Sequence, residues 1–328
     1  FHSAQWEHEH DLAGKRIGVI GTGGSAFQFV PILAEEAASV TVFQRTPPWI
    51  VPNENYFQEV PAGKHWLLRH VPFYAKWFRF NMFWRSAEGL LQSVTTQEGW
   101  HRPEESVSEA NQAFREALLE NLRETLGDRP DLLEKCTPHY PPGAKRALID
   151  DGKYLRSLKR DNVHLLTDGI DAITAGGVRS ADGTEHEFDV LIYGTGFKAS
   201  SFLFPMKIFG RDGRELQDVW QGEPQAFKGV NVPGFPNFFC CYGPNTNIVV
   251  NGSIVFFSEC EVRYILGCLA LLMQSNSHGL DVKQDVHEHY NQWIDEGNSG
   301  MAWGQSGVNT WYKNASGKIT QNWPFTLL

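Results

Sequence analysis

The sequence lacks the features that mark several large classes of protein. Its 29 Lys and Arg residues are outnumbered by 38 Asp and Glu, giving a formal net charge of −9. Binding to a phosphate backbone requires a basic surface, so this balance argues against a nucleic-acid partner. The five cysteines are an odd number and none lies in a CxxC pair, which indicates reduced thiols rather than a disulfide framework. We therefore expect a cytoplasmic protein.

Uninterrupted apolar runs and metal-ligand clusters are also missing. The most apolar region, 252–273, contains three charged residues, which disfavours a membrane span. No signal-peptide pattern of charged and then apolar residues opens the chain. Two His-x-His pairs occur at 8–10 and 287–289, but no convergent set of cysteines or carboxylates accompanies either pair. We predict no metal site.

The clearest positive signal lies in residues 15–50. A buried-strand pattern ending at Ile20 is followed by a glycine-rich turn, an apolar-periodic helix and a second strand over 39–44. This order is typical of a mononucleotide-binding half in an α/β Rossmann-type fold. The candidate cofactor-binding residues of the turn are Gly21, Thr22, Gly23, Gly24, Ser25 and Ala26.

Gly21-x-Gly23-x-x-Ala26 fits the dinucleotide fingerprint, in which the third small residue can be Ala. Gly21 permits the tight turn, Gly23 allows close approach of a pyrophosphate, and Ala26 allows helix and strand to pack closely. The helix N-terminus offers unpaired N–H groups to the phosphates. The alternative is a tight strand-to-helix turn without a ligand, but the strand-turn-helix context favours the binding site.

The end of the second strand favours NADP(H) over NAD(H). NAD-selective folds place an acid there to bind the ribose 2′-hydroxyl. Here the strand ends in Gln44, Arg45 and Thr46, with no acid. A guanidinium at position 45 can bind the 2′-phosphate, which a carboxylate would repel. The alternative is that Arg45 is only a solvated surface charge.

Composition divides the chain into further segments. We assign 1–54 and 136–187 to the nucleotide-binding domain, 55–135 to a helical insertion, and 188–328 to a further α/β part. Apolar runs at 188–193 and 238–241 predict strands in that last part.

The insertion has ten aromatic residues between Tyr56 and Trp84, and no Asp or Glu between Val60 and Ala87. Its segment 64–85 could rest on a membrane surface, with aromatic rings in the interface and basic side chains at anionic lipid. We prefer the alternative, a buried insertion that lines a substrate entrance, because aromatic stripes mostly reflect packing.

Several motifs, in this order, resemble the flavin-dependent Baeyer–Villiger monooxygenases. The family fingerprint F-x-G-x-x-x-H-x-x-x-W has a second half that is similar to His2-x-x-x-Trp6. The run Arg45–Trp49 and the aromatic insertion look most like the 4-hydroxyacetophenone-type branch. The remaining motifs are Pro142–Arg146, Gly194–Phe197, Gly234–Phe239, Gly243-Pro244 and Thr310–Tyr312.

The resemblance implies a reaction in which NADPH reduces FAD and one oxygen atom of O₂ is inserted next to a ketone carbonyl. It further implies that Arg146 is the active-site arginine supporting the anionic oxygenated intermediate and the nicotinamide. Lys145 resembles a second contact to the 2′-phosphate, and Trp311 resembles the late tryptophan that closes over NADP. His2 would be conformational rather than chemical. A dry site for an anion also needs a permanent cation, which a guanidinium provides. Without the resemblance, an ordinary basic pair on a loop is the favoured interpretation of Lys145 and Arg146.

The same resemblance makes 188–328 the C-terminal part of a second, FAD-binding domain, with contacts from Thr195, Gly196, Gly243 and Pro244. The family's N-terminal FAD fingerprint is not in the sequence. We therefore expect this chain to bind NADP(H) but to hold FAD weakly or not at all, FAD belonging to the full-length protein. Uncovered apolar surface would then favour a homodimer or another partner.

Two alternatives to ketone oxidation stay open. One is a flavin monooxygenase that oxidises nitrogen or sulfur, a group that shares the nucleotide motifs but lacks the fingerprint at His2 and Trp6. The other is an NADP-binding fragment without activity of its own.

Overall fold

The computed structural model describes residues 1–87, 90–102, 104–250 and 252–327. Its strands are β1 (Arg16–Ile20), β2 (Ser39–Phe43), β3 (Ile50–Pro52), β4 (Leu148–Asp150), β5 (Val163–Leu166), β6 (Ile170–Ile173), β7 (Gly177–Ser180), β8 (Glu185–Glu187) and β9 (Val190–Tyr193). Its helices are α1 (Gly24–Glu36), α2 (Ala62–His70), α3 (Tyr74–Ala87), α4 (Glu109–Leu126), α5 (Pro130–Cys136), α6 (Lys153–Leu158), α7 (Leu216–Trp220), α8 (Ile254–Gln274) and α9 (Gln284–Ser299).

The chain divides into two compact units. The first comprises Phe1–Glu59, Phe114–His139 and Arg146–Phe197. The second comprises Val60–Ala113, Tyr140–Lys145 and Lys198–Leu328.

A four-stranded parallel sheet, in the order β5-β2-β1-β9, organises the first unit. Ile17 and Val19 of β1 and Val40 and Val42 of β2 are fully buried. Such continuous apolar strands are typical of parallel sheets covered on both faces. On α1, Phe27 stacks on Tyr154 of α6 with 4.5 Å between ring centroids, which fixes one covering layer. The predicted α/β fold with a parallel sheet is confirmed.

The structure groups the strands differently from the domain ranges that we assigned. The apolar run at 188–193 contains β9, and β9 pairs with β1 in the register Val19↔Ile192. This strand therefore belongs to the first sheet, and the first unit ends at Phe197 rather than at 187. Pairing partners so distant in sequence carry no local signal. Between β5 and β9, the hairpin strands β6, β7 and β8 form a small antiparallel sheet.

The insertion over 55–135 is helical and contributes to both units. Our preferred interpretation, that its aromatic stretch is buried, is wrong for the side chains of Trp66, Trp77 and Trp84. They are 58%, 64% and 59% exposed. Packing on a core was the assumption behind that interpretation, and in the described part of the chain these rings face solvent. The side chain of Arg85, which the membrane interpretation also used, lies outside the described residues.

The second unit is built from α2, α3, α7, α8, α9 and long connecting loops. One core cluster gathers around the fully buried Trp303, and another around Leu216 and Trp220. The predicted strand at 238–241 is wrong. The backbone turns on either side of it, at Asn237 (φ 59°) and Tyr242 (φ 54°), so the apolar run is too short to pair as a strand.

None of the helices in the described ranges combines the length and the apolarity needed to cross a bilayer.

Candidate dinucleotide-binding site

The turn between β1 and α1 depends on two glycines that approach each other closely. Gly21 has φ 105°, a backbone conformation that side chains rarely adopt. A Cβ atom added there would lie 2.5 Å from the carbonyl oxygen of Gly194, at the end of β9. The backbone of Gly194 also donates its N–H to the carbonyl oxygen of Ile20 at 2.9 Å. The first glycine is therefore needed for the fit between two loops as well as for the turn.

Gly23 faces open space. It is exposed, and a Cβ atom added to it would have no neighbour within 4 Å. It precedes α1, whose N-terminus has no side-chain cap and no acidic residue in its first turn. Gly24 and Ser25 form that first turn, and Ser25 is exposed. Uncapped N–H groups without a nearby carboxylate provide the environment that an anionic phosphate requires.

Ala26 and Thr22 are buried beneath this open side. Ala26 is fully buried, and a Cβ atom added at Gly194 would come within 3.2 Å of the Ala26 Cβ. A larger residue at position 26 would push α1 away from the sheet. Thr22 donates from Oγ1 to the carbonyl oxygen of Thr46 at 3.5 Å. This bond links the glycine-rich turn to the loop that follows β2.

At the end of β2, consecutive side chains point in different directions. Gln44 is buried and donates from Nε2 to the carbonyl oxygen of Lys135 at 2.7 Å. Arg45 is exposed, and within the described residues its guanidinium makes no ion pair. Because Ile20 and Phe43 are register partners, the loops after β1 and β2 begin side by side. The position of Arg45 beside the glycine-rich turn suits a cation that binds the adenosine side of a dinucleotide.

The loop after β9 completes this edge of the sheet. Thr195 and Gly196 are exposed and follow directly on Gly194. The connection from β1 runs to β2 on one side, whereas β9 lies on the other side. Open α/β sheets bind ligands at such a reversal of strand order, outside the carboxyl ends of the strands.

The first residues of the chain contact this loop. The N–H of Ser3 donates to the carbonyl oxygen of Tyr193 at 3.0 Å, so the segment runs alongside the end of β9. The ring of His2 meets Phe197 edge-on at 5.8 Å between centroids. Trp6 packs against Phe29 of α1 at 5.1 Å. Of the two matched fingerprint positions, His2 therefore lies against the loop after β9 and Trp6 lies against α1.

Lys145 and Arg146 are adjacent in sequence, yet the division into units falls between them. Arg146 is exposed in the first unit, two residues before β4. There the N–H of Leu148 donates to the carbonyl oxygen of Trp49 at 2.8 Å. Lys145 belongs to the second unit and is half-buried, with Nζ 4.9 Å from the ring centroid of Tyr140.

The remaining predicted site residues lie in the second unit. Gly243 and Pro244 are buried in a turn, where a Cβ atom added at Gly243 would overlap the carbonyl oxygen of Gly229. The structure therefore gives these two residues a packing role. Trp311 is 38% exposed and contacts the buried ring of Tyr312 at 4.6 Å between centroids. It lies on the C-terminal loop of this unit.

One functional candidate had no sequence signal. Glu261 of α8 is buried and accepts a hydrogen bond from the N–H of Tyr242 at 3.1 Å, just before the Gly243 turn. Burial raises the pKa of its carboxyl above the ordinary value. In the sequence, Glu261 is a charged residue within an apolar stretch. Only the fold shows that its carboxylate accepts a hydrogen bond from the turn at Tyr242. Phe197 belongs to the Gly194–Phe197 motif, but the sequence alone does not predict its contact with His2.

The chain is similar in sequence to known monooxygenases. No family model matches the chain. A Baeyer-Villiger monooxygenase of Pseudomonas aeruginosa is 35% identical over 325 residues, covering 99% of this chain and 59% of that protein. The FAD-binding monooxygenase ktnD of Aspergillus niger is 35% identical over 331 residues, covering 100% of this chain and 52% of that protein. These relatives are monooxygenases. The chain spans about half to three fifths of the length of the relatives that it matches.

Solved structures give the same result. Oxidized steroid monooxygenase bound to NADP superposes on 99% of this chain and 65% of its own length, with a TM-score of 0.79 and 26% identity. OTEMO in complex with FAD and NADP superposes on 99% of this chain and 66% of its own length, with a TM-score of 0.79 and 25% identity. The predicted similarity to flavin-dependent monooxygenases is confirmed at this level. The 4-hydroxyacetophenone-type branch stays a prediction.

Proposed function

We propose that the first unit binds NADP(H) through the turn between β1 and α1. The observation that carries the proposal is the open, uncapped and acid-free start of α1, with the exposed Arg45 on the adjacent loop. The pyrophosphate would lie against the backbone at Gly23, where a Cβ atom would meet nothing. Arg45, supported by Thr46, would bind the 2′-phosphate in a charge-assisted fork.

We further propose that the protein carrying this sequence is an NADPH- and FAD-dependent Baeyer–Villiger monooxygenase that converts a ketone into an ester or lactone. Similarity to a Baeyer-Villiger monooxygenase over 99% of this chain supports the proposal. The placement of His2 against the loop after β9 and of Trp6 against α1 adds support, because these positions distinguish the family from its nitrogen- and sulfur-oxidising relatives.

The chain's own residues would have distinct tasks in that reaction. When bound, NADPH supplies reducing equivalents to FAD, which activates O₂. Arg146 would hold a permanent positive charge at the reacting centre, because a guanidinium keeps its proton in a dry site. Lys145 would be a second cation for the 2′-phosphate, and Trp311 would shield the cofactor from water. Exposed backbone at Thr195 and Gly196 fits a contact to FAD.

Gly243 and Pro244 would act on FAD indirectly. Both residues are buried in the described chain and Gly243 packs closely on Gly229, so their task would be to shape the turn. This differs from the direct cofactor contact that the resemblance suggests. Glu261 would assist them through its bond to Tyr242.

Product analysis tests this function against its alternatives. The protein is incubated with NADPH, FAD, ¹⁸O₂ and either an aryl ketone or an aryl methyl sulfide. An ester carrying one labelled oxygen supports the proposal. Sulfoxide without any ester favours the nitrogen- or sulfur-oxidising class. Neither product, with NADPH still bound, favours a nucleotide-binding chain without activity of its own.

A further inference from the structure

The α2–α3 hairpin carries an exposed aromatic stripe. Phe73, Trp77, Phe80 and Trp84 are 69%, 64%, 47% and 59% exposed. Trp77, Phe80 and Trp84 lie three and four residues apart on α3, which places them on one face of that helix, and Phe73 lies in the turn just before it. Centroid distances of 5.7 Å join Trp77 to Phe80 and Phe80 to Trp84, so the rings form one continuous surface. Single exposed apolar residues are ordinary, whereas a connected row marks an interaction surface.

The other side of α3 holds the helix in place. Phe83 packs on Phe256 of α8 with 4.5 Å between ring centroids. Arg79 donates hydrogen bonds from both terminal nitrogens to the carboxylate of Glu259, which is also on α8. These contacts lie within the second unit and fix the orientation of α3. The aromatic stripe is therefore turned outward by the packing of the opposite face.

The hairpin that carries the stripe contributes only basic charges, of which Arg79 is paired with Glu259 of α8. Between Val60 and Ala87 there are five Lys and Arg residues and no Asp or Glu, in a chain of net charge −9. Lys76 is exposed beside the stripe, with Nζ 5.7 Å from the ring centroid of Phe73. On the inner side, Lys64 sits over Phe78 at 4.2 Å. Basic charge concentrated at an aromatic face is complementary to an anionic surface that also accepts apolar groups.

We propose that this hairpin docks the protein on the surface of an anionic lipid bilayer. Trp and Phe side chains favour the interface between headgroups and acyl chains, and Lys and Arg gain energy from the negative surface potential. The docking is peripheral, because α3 lies in the interface plane and does not cross the membrane. The inference rests on the hairpin alone and is independent of the cofactor and the reaction proposed above.

A second exposed stripe provides an internal control. Along α8, the side chains of Val255, Val262, Leu266, Leu269 and Met273 share one face and are exposed. This stripe contains no basic residue and no aromatic ring. It therefore lacks both features by which the stripe on α3 is proposed to bind anionic lipid. Variants on α8 therefore separate general hydrophobic adhesion from the docking proposed for α3.

The test is co-sedimentation with vesicles of phosphatidylcholine alone and of phosphatidylcholine with 30% phosphatidylserine. Wild type should partition more strongly onto the anionic vesicles, and added salt should weaken the binding. The double variant Trp77→Ala/Trp84→Ala should bind the anionic vesicles at least about tenfold more weakly than wild type, given the area that two indole rings bury. Lys76→Glu should lower binding by at least about fivefold. The control Leu266→Ala/Met273→Ala should bind like wild type.

Circular dichroism and the unfolding midpoint establish that each variant is folded, which is expected because the changed side chains are exposed. Absence of vesicle binding by wild type would overturn the proposal. So would equal binding to neutral and anionic vesicles, or loss of binding in the α8 variant but not in the α3 variant. If light scattering shows that Trp77→Ala/Trp84→Ala converts a dimer into a monomer with vesicle binding unchanged, a second copy of the chain is the occupant and the proposal fails.

Discussion

Gly21→Ala and Gly23→Ala are predicted to affect different properties, although the two glycines are separated by one residue. The first should lower stability, and the second should weaken NADPH binding. At Gly21 the new Cβ would lie 2.5 Å from the Gly194 carbonyl oxygen, at a φ of 105°. Left-handed backbone strain costs about 1–2 kcal/mol and overpacking about 1–3 kcal/mol. We therefore expect Gly21→Ala to lower the free energy of unfolding by about 2–5 kcal/mol.

Gly23→Ala should leave the fold nearly unchanged and weaken NADPH binding. The new Cβ has no neighbour within 4 Å, and Gly23 already has a φ of −71°. The change from Gly to Ala at a helix N-cap costs about 1 kcal/mol at most. The added methyl group would occupy the space where the pyrophosphate is proposed to lie. Loss of charge-assisted hydrogen bonds worth about 1.5–3 kcal/mol corresponds to roughly 10- to 100-fold weaker binding.

Urea unfolding followed by circular dichroism measures the first effect, and titration of nicotinamide fluorescence measures the second. Stability of Gly21→Ala within about 1 kcal/mol of wild type would refute the close approach of the two loops. An unchanged NADPH dissociation constant for Gly23→Ala would refute the placement of the phosphates.

Three further predictions concern charged side chains. Arg45→Ala should weaken NADPH binding about 10- to 100-fold and leave NADH binding unchanged in fluorescence titrations, whereas the exposed control Arg16→Ala should affect neither. With FAD and NADPH bound, Arg146→Ala should lower kcat for ketone oxidation by about 10²- to 10³-fold, with Arg146→Lys intermediate. For Glu261, the raised pKa means that the folded state binds an extra proton above pH 4.5. Its contribution to stability is therefore full below that pH and is lost as pH rises through the raised value. Glu261→Gln should show a smaller fall in urea midpoint between pH 4.5 and 7.

A specific result would contradict each of these three predictions. Equal losses of NADPH and NADH affinity in Arg45→Ala would show that the guanidinium does not read the 2′-phosphate. Undiminished kcat in Arg146→Ala would remove it from the reacting centre. Stability profiles that run parallel for wild type and Glu261→Gln would mean that the buried carboxyl does not titrate in this range.

The local parts of the fold could be predicted from the sequence. The succession of β1, the glycine-rich turn, α1 and β2 is written in contiguous residues, so both its elements and the position of Arg45 at the end of β2 could be predicted. The distant pairing of β9 with β1 could not, because 170 or so residues separate the partners and neither strand specifies the other. Because that pairing could not be predicted, the close approach of Gly21 to Gly194 could not be predicted either.

Apolar and aromatic patterns were less informative. The run at 238–241 has strand composition, but turns at Asn237 and Tyr242 leave no room for a pairing partner. The aromatic stretch on α3 has a helical period, yet periodicity shows which residues share a face and not whether a neighbour covers that face. The sequence therefore predicted the helices and missed the outward direction of the stripe.

The most direct test of the central claim is a comparison of NADPH and NADH binding to the wild-type chain under identical salt. Because the two cofactors differ only in the 2′-phosphate, the difference in affinity reports the contact assigned to Arg45. We predict at least about tenfold tighter binding of NADPH, as expected for a charge-assisted contact. No measurable affinity for NADPH, or equal affinity for both cofactors, would contradict the assignment of this edge of the sheet as an NADP site.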